Sequence, residues 1–392
     1  MSDNNVKSML GKIFNDIAEG METGQFGQKA RVGITTFGSE LGEENMLRGA
    51  EMAQKRDNSI EVVLIGPKMD TNLTQVVVET EEEGYKKMEE MLDSGEIGGC
   101  VTLHYSFPIG VSTVGKVVTP GKGKEMFVAT TTGTSSSHRV EAMVKNGIYG
   151  IVTAKAMGIE NPTVGILNVD GARQVERAFK DLTSKGYKIN FTESNRADGG
   201  SVMRGNDLLA GTPDVMVTDT LTGNILMKVF SSFTTGGSYE SQGYGYGPGI
   251  GEDYSRLVLI LSRASGSPVV ANAISYAGEL IKNNVLEIAK SEFKAANASG
   301  LKEVLAGLTK ETKKEVKEAV VAPPKEVVTG TVDGIDIMEL DDAVEVLWSE
   351  GVYAESGMGC TGPIVMVNEA KLNAALKILA KAGYDVGEAE DC

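Results

Sequence analysis

The sequence predicts an α/β protein with a doubly wound, mostly parallel sheet and a small α/β appendage at the C-terminal end. Short apolar runs, such as residues 31–36 and 163–167, alternate with stretches of helical periodicity, such as residues 172–185. Strands that alternate with helices along a chain form parallel sheets covered by helices on both faces. Near the C-terminal end, Pro323-Pro324 interrupts this alternation. Because two prolines do not continue a helix, they indicate a linker before the appendage.

The individual elements are predicted in chain order from apolar periodicity. Residues 6–17 place apolar side chains at the i, i+3, i+4 and i+7 spacing of an amphipathic helix. The predicted strands of the large part that follows are 31–36, 61–65, 75–78, 98–103, 126–130, 163–167, 187–191 and 214–218. The predicted helices there are 45–56, 81–92, 172–185, one that begins near 222, 268–296 and 301–320.

This pattern divides the chain into four segments. Residues 1–30 hold the N-terminal helix, and residues 31–320 form the large α/β domain. Residues 321–326 are the linker, and residues 327–392 form an acidic C-terminal α/β unit. The elements predicted in that unit are strands at 327–332 and 364–367 and helices at 341–350 and 369–382.

Charge limits the classes of partner. The 392 residues carry 38 Lys and Arg against 54 Asp and Glu, a net charge of −16. Nucleic acids and anionic membranes attract basic surfaces, so this balance argues against both as partners. From Lys325 to Cys392 there are 4 Lys, no Arg and 14 Asp and Glu, a net of −10. Such acidity predicts a solvated face, with a docking surface for a partner protein as the alternative.

Cysteine and histidine are too few for a disulfide framework or a zinc site. The cysteines Cys100, Cys360 and Cys392 form no CxxC pair, and the histidines are His104 and His138. No segment approaches the roughly 20 consecutive apolar residues of a membrane-spanning helix. We therefore expect a cytoplasmic protein in a reducing compartment, without a metal or a bound cofactor.

One cysteine has an unusual setting, in the stretch Ser356-Gly-Met-Gly-Cys-Thr-Gly-Pro363. A glycine-rich turn is expected here, which exposes the sulfur of Cys360 and brings backbone N–H groups near it. We interpret Cys360 as a catalytic thiol, although no His or Lys nearby in the sequence activates it. Activation would come from backbone N–H groups or from another domain. The candidate donors to an oxyanion are the N–H groups of Gly359, Thr361 and Gly362.

A hydroxyl-rich stretch, residues 130–137, follows the predicted strand 126–130 and leads to Arg139 at a helix start. Ligands of α/β sheets bind beyond the carboxyl ends of strands, and helix N-termini bind anions. The stretch is therefore a phosphate cradle or, as readily, a helix cap with a polar loop, since Ser and Thr are favoured there. The candidate phosphate-binding residues are Thr131, Thr132, Gly133, Thr134, Ser135, Ser136 and Arg139.

A second strand–turn–helix junction runs from Asp219 to Lys228. Gly223 permits close approach of another backbone, and Asn224 and Lys228 offer donors one helical turn apart on the same face. These two side chains are further candidates to bind phosphate, and the alternative is a helix start with a solvent-exposed lysine. Neither a P-loop nor a dinucleotide-binding glycine fingerprint is present.

A third candidate is the glycine-rich segment 236–251, in which 7 of 16 residues are glycine. It precedes residues 261–268, in which Ser265-Gly-Ser-Pro268 is predicted to cap a helix, with proline at its first position. The alternative is a substrate loop, because glycine-rich loops of this length are usually functional or mobile.

The stretch Gly158-Ile-Glu-Asn-Pro-Thr-Val-Gly-Ile-Leu-Asn168, with Ile189-Asn-Phe191 and residues 214–228, resembles the phosphate acyltransferase family of bacterial phospholipid synthesis. The likeness runs from about residue 31 to about residue 233. It implies formation of an acyl phosphate from an acyl thioester and inorganic phosphate. It also implies the fold of the phosphotransacetylase and isopropylmalate dehydrogenase-like group.

The whole chain, including Met358-Gly-Cys-Thr-Gly-Pro363, is similar to the alpha subunits of component C of glycine reductase complexes. That resemblance implies anaerobic amino-acid fermentation, in which selenoprotein component A carries a carboxymethyl-selenocysteine. Component C converts it to an acetyl thioester and then, with phosphate, to acetyl phosphate. The resemblance also implies a ketoacyl synthase-like beta subunit as a partner and Cys360 as the acetyl-bearing residue.

Two other functions remain open from the sequence. One is a stand-alone phosphate acyltransferase or phosphotransacetylase that uses thioesters of CoA or acyl carrier protein directly. The other is a scaffold subunit without catalysis, in which the acidic C-terminal unit docks a partner and the Cys360 thiol has no role.

Overall fold

The computed structural model describes residues 29–196, 199–311, 320–336, 339–359, 362–384 and 386–388, with three single positions nearer the N-terminus. Two of these positions, Gly11 and Phe14, have helical backbone, which agrees with the helix predicted at residues 6–17. The rest of that prediction lies outside the described residues.

The main domain is built on a 12-stranded sheet with helices on both faces, and this confirms the predicted fold class. Its strands are β1 (Ala30–Thr35), β2 (Ile60–Gly66), β3 (Thr74–Val77), β4 (Gly99–Thr102), β5 (Val111–Val118), β6 (Glu125–Thr134), β7 (Thr163–Leu167), β8 (Asn190–Phe191), β9 (Val202–Met203), β10 (Val215–Val217), β11 (Gly247–Ile250) and β12 (Val258–Ile260). Its helices are α1 (Glu43–Arg56), α2 (Glu81–Asp93), α3 (Arg139–Ala156), α4 (Ala172–Ser184), α5 (Gly205–Ala210), α6 (Thr220–Ser232), α7 (Ser267–Lys282), α8 (Val285–Ala298) and α9 (Leu301–Glu311).

The sheet consists of two parallel halves that run in opposite directions. The first half has the order β3-β2-β1-β4-β12, and the second has β6-β10-β7, with β8 and β9 beside β7. Between the halves, β11 and β5 are antiparallel to each other and to their outer neighbours. The carboxyl ends of β6, β10 and β7 therefore meet at one edge of the sheet, here called the β6 edge. Those of β1, β4 and β12 meet at the opposite edge.

Side chains alternate between the two faces of the sheet, as a strand covered on both sides requires. In β6, Phe127 and Ala129 join a large core that includes residues of α1, α3, α7 and α8. Their neighbours Met126 and Val128 point to a second core, to which α5 and α6 contribute. Helix α3 is buried on almost every side, which is the expected environment for a helix that is apolar all round.

Some elements differ from the sequence-based prediction. Strand β5 was not predicted because Gly115 and Lys116 interrupt its apolar pattern. Lys116 is nevertheless buried, and its Nζ lies 2.8 Å from a carboxylate oxygen of Glu125 in β6. The single helix predicted at 268–296 is two helices, α7 and α8, because Asn284 between them adopts a left-handed φ of 53°.

The C-terminal unit has its own sheet and its own core. The elements are β13 (Gly330–Asp333), α10 (Leu340–Ser349), β14 (Ala354–Gly359), β15 (Gly362–Val367), α11 (Leu372–Lys381) and β16 (Gly387–Glu388). Its antiparallel strands have the order β14-β15-β13-β16, and its core includes Val332, Leu347, Val365 and Leu379. Among the described helices of the whole chain, none combines the length and apolar composition needed to cross a bilayer.

Candidate functional site

The hydroxyl-rich stretch is not the loop that the sequence predicts. Strand β6 continues to Thr134, where it pairs with Val111 of β5. The pairing is irregular, because three positions of β5, from Ser112 to Val114, face five positions of β6, from Gly133 back to Ala129. The β-branched threonines favour extended backbone, so the expectation of a loop beginning at Thr130 was wrong.

Three hydroxyls of the stretch are bonded inside the protein. That of Thr130, which is buried, donates to the backbone oxygen of Thr113. Thr131 is buried, and its Oγ1 donates to the backbone oxygen of Tyr246 at 2.7 Å. Ser135 is also buried, and its Oγ donates to Oδ1 of Asn146 at 2.7 Å. The part nearer the surface contains Thr132, Gly133, Thr134 and Ser136. Phosphate binding by the stretch stays a prediction, and these surface positions are the ones open to an anion.

Asn146 is a buried side chain that the sequence-based interpretation missed. It accepts from Ser112 as well as Ser135, and its Nδ2 donates to the backbone oxygen of Thr218 at 3.1 Å. These partners lie at the β6-edge ends of β5, β6 and β10. A buried amide with satisfied partners fixes the relative positions of neighbouring strand ends. In the sequence, the signal for this role was an asparagine within the largely apolar stretch that forms α3.

Arg139 joins the carboxyl ends of two other strands to the start of α3. Its guanidinium donates to Asp170, which follows β7, at 2.9 Å, and to Asp219, which follows β10, at 3.2 Å. Burial alone would raise the pKa of Asp219, but hydrogen bonds from Thr222 and the charge of Arg139 outweigh it and hold that pKa below its usual range. Phosphate at Arg139 would therefore share the guanidinium with two carboxylates.

Helix α6 begins against the hydroxyl-rich stretch. Asp219 caps the helix by accepting from the backbone N–H of Thr222 at 3.0 Å, and Asn224 Nδ2 donates to the backbone oxygen of Thr131 at 3.0 Å. A Cβ at Gly223 would lie 1.8 Å from the backbone oxygen of Thr130. The close backbone approach predicted for Gly223 is confirmed.

Lys228 belongs to a different cluster from Arg139. It lies nine residues beyond Asp219, which is about 13 Å along the helix axis. Its Nζ is 3.9 Å from Oε1 of Glu240 and 5.6 Å from the centre of the Tyr246 ring. The structure therefore brings Arg139 and Asn224 to the β6 edge and leaves Lys228 farther along α6.

Glu240 is a second residue that the sequence-based interpretation missed. It is buried in the glycine-rich segment, and its carboxylate accepts from the hydroxyls of Tyr246 and Ser265, each at 3.1 Å. Burial raises the pKa of Glu240, and the charge of Lys228 and the two hydroxyls offset this only in part. The glycine-rich segment is therefore held to Ser265, beyond the end of β12. In the sequence, the signal for a special role of Glu240 was a single acidic residue in a glycine-rich segment.

A cavity of about 580 Å³ opens beside the hydroxyl-rich stretch. Lys145 lines it and donates from Nζ to the backbone oxygen of Ser135 at 3.4 Å. Tyr149, Phe293 and Leu301 supply apolar wall. The volume falls in the range of roughly 300–1,000 Å³ that is common for small-molecule pockets. A ligand held at the β6 edge has room beside α3.

The expected glycine-rich turn at residues 356–363 is largely strand. Strands β14 and β15 pair antiparallel up to Gly359 and Gly362, which face each other. The predicted catalytic Cys360 and the oxyanion candidate Thr361 stand between them in the sequence and lie outside the described residues. Nearby in β14, Glu355 accepts from the Tyr353 hydroxyl at 2.7 Å.

Glu355 also pairs with Lys325, whose Nζ lies 3.1 Å from its Oε1. The Tyr353 hydroxyl and Lys325 together lower the pKa of Glu355. The carboxylate nearest to Cys360 in sequence therefore has partners of its own.

The C-terminal unit is attached to the main domain at the start of α4. Asp336 accepts from the backbone N–H of Gly171 at 3.1 Å, and Arg177 donates to Glu339 at 2.5 Å. Gly171 directly follows Asp170, which binds Arg139. The unit that carries Cys360 thus contacts the main domain at the β6 edge.

The other two cysteines are Cys100 of the main domain and Cys392 of the C-terminal unit. Cys100 lies in β4 and is fully buried, and burial raises the pKa of its thiol. Cys392 lies outside the described residues. Within the described ranges, no group of three or more His, Cys, Asp or Glu side chains is arranged to hold a metal ion.

Comparison with known proteins identifies relatives of the whole chain. The profile of the family described as "Fatty acid synthesis protein" matches residues 30–366. The chain is 68% identical over 384 residues to the "Glycine/sarcosine/betaine reductase complex component C subunit alpha" of Peptoclostridium acidaminophilum, which covers 98% of this chain and 99% of the relative.

More distant relatives match the main domain. The chain is 25% identical over 240 residues to the "Phosphate acyltransferase" of Staphylococcus epidermidis, which covers 50% of this chain and 70% of the relative. Among solved structures, a branched-chain phosphotransacylase from Enterococcus faecalis V583 aligns with a TM-score of 0.45 at 14% identity. That alignment covers 64% of this chain and 99% of the other.

Proposed function

This chain belongs to the fatty acid synthesis protein family and to the component C alpha subunits of glycine/sarcosine/betaine reductase complexes, and we propose that it forms acetyl phosphate from a protein-bound acetyl thioester. The thioester is held on Cys360, and inorganic phosphate is the second substrate. The phosphate acyltransferase relatives support the acyl transfer, because their name describes transfer of an acyl group to phosphate.

The observation that carries the proposal is the contact of Asp336 with Gly171. It fixes the C-terminal unit to the edge where β6, β10 and β7 end, beside Arg139 and the hydroxyl-rich stretch. In α/β sheets, ligands bind beyond the carboxyl ends of strands. The contact therefore supports a site at which a thiol carried by this unit meets phosphate bound at that edge.

In the proposed step, an oxygen of hydrogen phosphate attacks the carbonyl carbon of acetyl-Cys360. The tetrahedral intermediate places negative charge on the former carbonyl oxygen, and N–H groups at Gly359, Thr361 and Gly362 are the proposed donors to it. When the intermediate collapses, the C–S bond breaks and the electron pair leaves with sulfur. Acetyl phosphate and the Cys360 thiolate are the products, so charge and atoms balance without a further reactant.

The proposed phosphate contacts are the surface positions of the hydroxyl-rich stretch and Arg139. The N-terminus of α3 lies beside them and adds partial positive charge. Asn224 positions the stretch through its hydrogen bond to Thr131 and does not need to touch the phosphate. Lys228, in its separate cluster, is the least favoured of the predicted phosphate ligands.

The proposal includes partner proteins. The relative's name places that protein in a multi-component reductase complex, which supports partner subunits for this chain as well. The partners proposed are a ketoacyl synthase-like beta subunit of component C and the selenoprotein component A that supplies the acetyl precursor.

The covalent step is tested by intact-mass measurement of the full chain after incubation with acetyl phosphate. Reversal of the reaction should add one acetyl group, a gain of roughly 42 Da, at Cys360. Cys360→Ser should lose this adduct, whereas the matched control Cys392→Ser should retain it. A thioester of unchanged amount in Cys360→Ser, or mapped to another cysteine of the wild type, contradicts the proposal.

A second candidate function is direct use of CoA or acyl carrier protein thioesters. It is favoured by the phosphate acyltransferase match, which covers only half of this chain. Arsenolysis of acetyl-CoA by the isolated full chain distinguishes the two. Rapid arsenolysis that persists in Cys360→Ser supports this second function, and arsenolysis that requires Cys360 or is absent supports the first.

A further inference from the structure

Polar contacts hold the C-terminal unit against the start of α4. The carboxylate of Asp336 accepts from the backbone N–H of Gly171, and Arg177 of α4 donates to Glu339 at 2.5 Å. Among the described residues, each cluster of buried apolar side chains belongs either to the main domain or to the C-terminal unit, and none joins the two. Domains that meet without a large apolar interface are expected to move relative to each other.

The docked arrangement leaves polar atoms without partners at this contact. One carboxylate oxygen of Glu339 bonds Arg177, whereas the other, Oε2, is buried and accepts no hydrogen bond. The Oδ1 atom of Asp170, the residue before Gly171, is in the same state. A buried acceptor without a donor costs free energy, because it has lost the hydrogen bonds that water would give it. This cost offsets part of the free energy that the contacts contribute, so docking is weak enough to be reversed.

The two segments that meet here carry opposite charge. Residues 172–204, which begin with α4, contain 7 Lys and Arg against 4 Asp and Glu, in a chain whose net charge is −16. Residues 325–392 have a net charge of −10. Opposite charges attract the unit towards α4, and dissolved salt screens that attraction. Docking is therefore expected to weaken as the salt concentration rises.

The C-terminal unit can separate from α4 without unfolding. Its described core draws side chains from the unit alone. The stretch before it, residues 320–329, has no helix or strand, and it is bound to the unit by the ion pairs of Lys325 with Glu355 and of Glu326 with Lys371. Separation therefore breaks the contacts to α4 and preserves those within the unit.

We propose that the C-terminal unit leaves and returns to the β6 edge as a folded body, in a salt-dependent equilibrium, and that Cys360 exchanges its acetyl group with phosphate only in the docked state. This inference rests on the proposed function, in which a phosphate oxygen attacks the thioester carbon and the electron pair of the C–S bond leaves on sulfur. Docking brings the unit beside Asp170 and Arg139. Separation frees the unit to approach a partner protein, so the unit carries the acetyl group between two places.

The first test follows hydrogen exchange of the full chain by mass spectrometry, at a peptide that contains Gly171 and at β15. The screening length is about 30 Å in about 0.01 M salt and about 3 Å in about 1 M salt. We expect the amide of Gly171 to exchange at least about 10-fold faster at the higher concentration, because Asp336 no longer accepts from it, while β15 stays protected. Equal exchange of Gly171 at both concentrations overturns the proposal. Loss of protection in β15 at the same rate also overturns it, because the unit would then unfold.

Charge reversal on α4 is a second test at low salt. Arg177→Glu should speed exchange of the Gly171 amide by at least about 10-fold, and Arg177→Glu/Glu339→Arg, which restores an ion pair, should return it towards the wild-type rate. The matched control Lys185→Glu makes the same change of charge at the other end of α4, where Lys185 pairs with Asp181 at 2.7 Å. No acceleration in Arg177→Glu, or an equal one in Lys185→Glu, contradicts the proposal.

The link between docking and transfer is tested with acetyl phosphate as the probe. The rate at which the acetyl adduct forms at Cys360 should fall at least about 10-fold in Arg177→Glu and recover in Arg177→Glu/Glu339→Arg. An unchanged rate in Arg177→Glu, although Gly171 exchanges faster, overturns this link. If the wild type forms no adduct, the proposed function fails together with the docked transfer, whereas salt-dependent exchange at Gly171 would still show a unit that separates.

Discussion

The carboxylate of Asp336 accepts a hydrogen bond from the backbone N–H of Gly171 at 3.1 Å, across 165 positions of the sequence. Gly171 is the N-cap residue of α4, and no side chain of its own caps that helix. The C-terminal unit therefore supplies to the main domain a cap that the local sequence does not provide. Docking of the unit and formation of the first turn of α4 stabilise each other.

Asp336→Ala should weaken that docking by about 1 kcal/mol, the usual cost of losing a helix cap. Asp336→Asn retains an accepting oxygen and should lose much less. Trp348, the single tryptophan, lies in α10 of the C-terminal unit, so its fluorescence reports on that unit during urea unfolding. An unfolding midpoint for Trp348 that does not move in Asp336→Ala argues against the cap.

Gly223→Ala should be strongly destabilising, by about 3 kcal/mol or more, because its Cβ would collide with the backbone oxygen of Thr130. The matched control is Gly307→Ala in α9, where a Cβ would meet no atom within 4 Å. That change should stabilise the chain by roughly 0.5–1 kcal/mol, since alanine favours a helix more than glycine does. Equal effects of the two substitutions on the free energy of unfolding would show that α6 does not approach β6 closely.

Glu240→Gln should change the pH dependence of stability. The pKa of Glu240 is raised in the folded protein, so the folded state holds this proton more tightly than the unfolded state. Its contribution to stability is therefore full below about pH 4.3, the ordinary pKa of Glu, and falls as pH rises through the folded pKa. The stability of the variant relative to the wild type should increase from pH 4 to pH 7.

Urea unfolding at several pH values measures this difference. Glu350→Gln, at an exposed position of the C-terminal unit, serves as the control for removal of one carboxyl group. A stability difference between Glu240→Gln and the wild type that stays constant from pH 4 to pH 7 contradicts the prediction.

Cys100 should resist alkylation in the folded protein. Its side chain is fully buried, and burial raises the pKa of the thiol, so little thiolate is present at neutral pH. Iodoacetamide should label Cys100 only after unfolding, which peptide mass spectrometry detects. Labelling of Cys100 at the rate of a free thiol under native conditions would contradict this placement in β4.

Local patterns predicted the fold class, because helix and strand periodicity is visible within ten residues. The reversal between the two halves of the sheet was not predictable in this way. It depends on β11 and β5 pairing across more than a hundred positions, as Gly249 with Thr113 shows. Strand β5 itself was hidden by a lysine whose burial depends on Glu125 in the next strand.

The candidate site was likewise predictable only in part. The close approach at Gly223 was predictable because a glycine at a strand–turn–helix junction permits it, although the backbone that it approaches, at Thr130, lies 93 positions away. The partners of Arg139 were not, since Asp170 and Asp219 lie 31 and 80 positions away. For Glu240, the burial that changes its pKa depends on Ser265 and other residues contributed by the fold.

The division of the buried side chains into separate cores has a consequence for heating. The largest core joins Val32 of the first half of the sheet to Val215 of the second, so the two halves should melt together despite their opposite strand directions. The described core of the C-terminal unit, with Val332 and Leu379, draws its side chains from that unit alone. Calorimetry should therefore resolve two transitions, and native-state hydrogen exchange should find an opening confined to residues beyond 330.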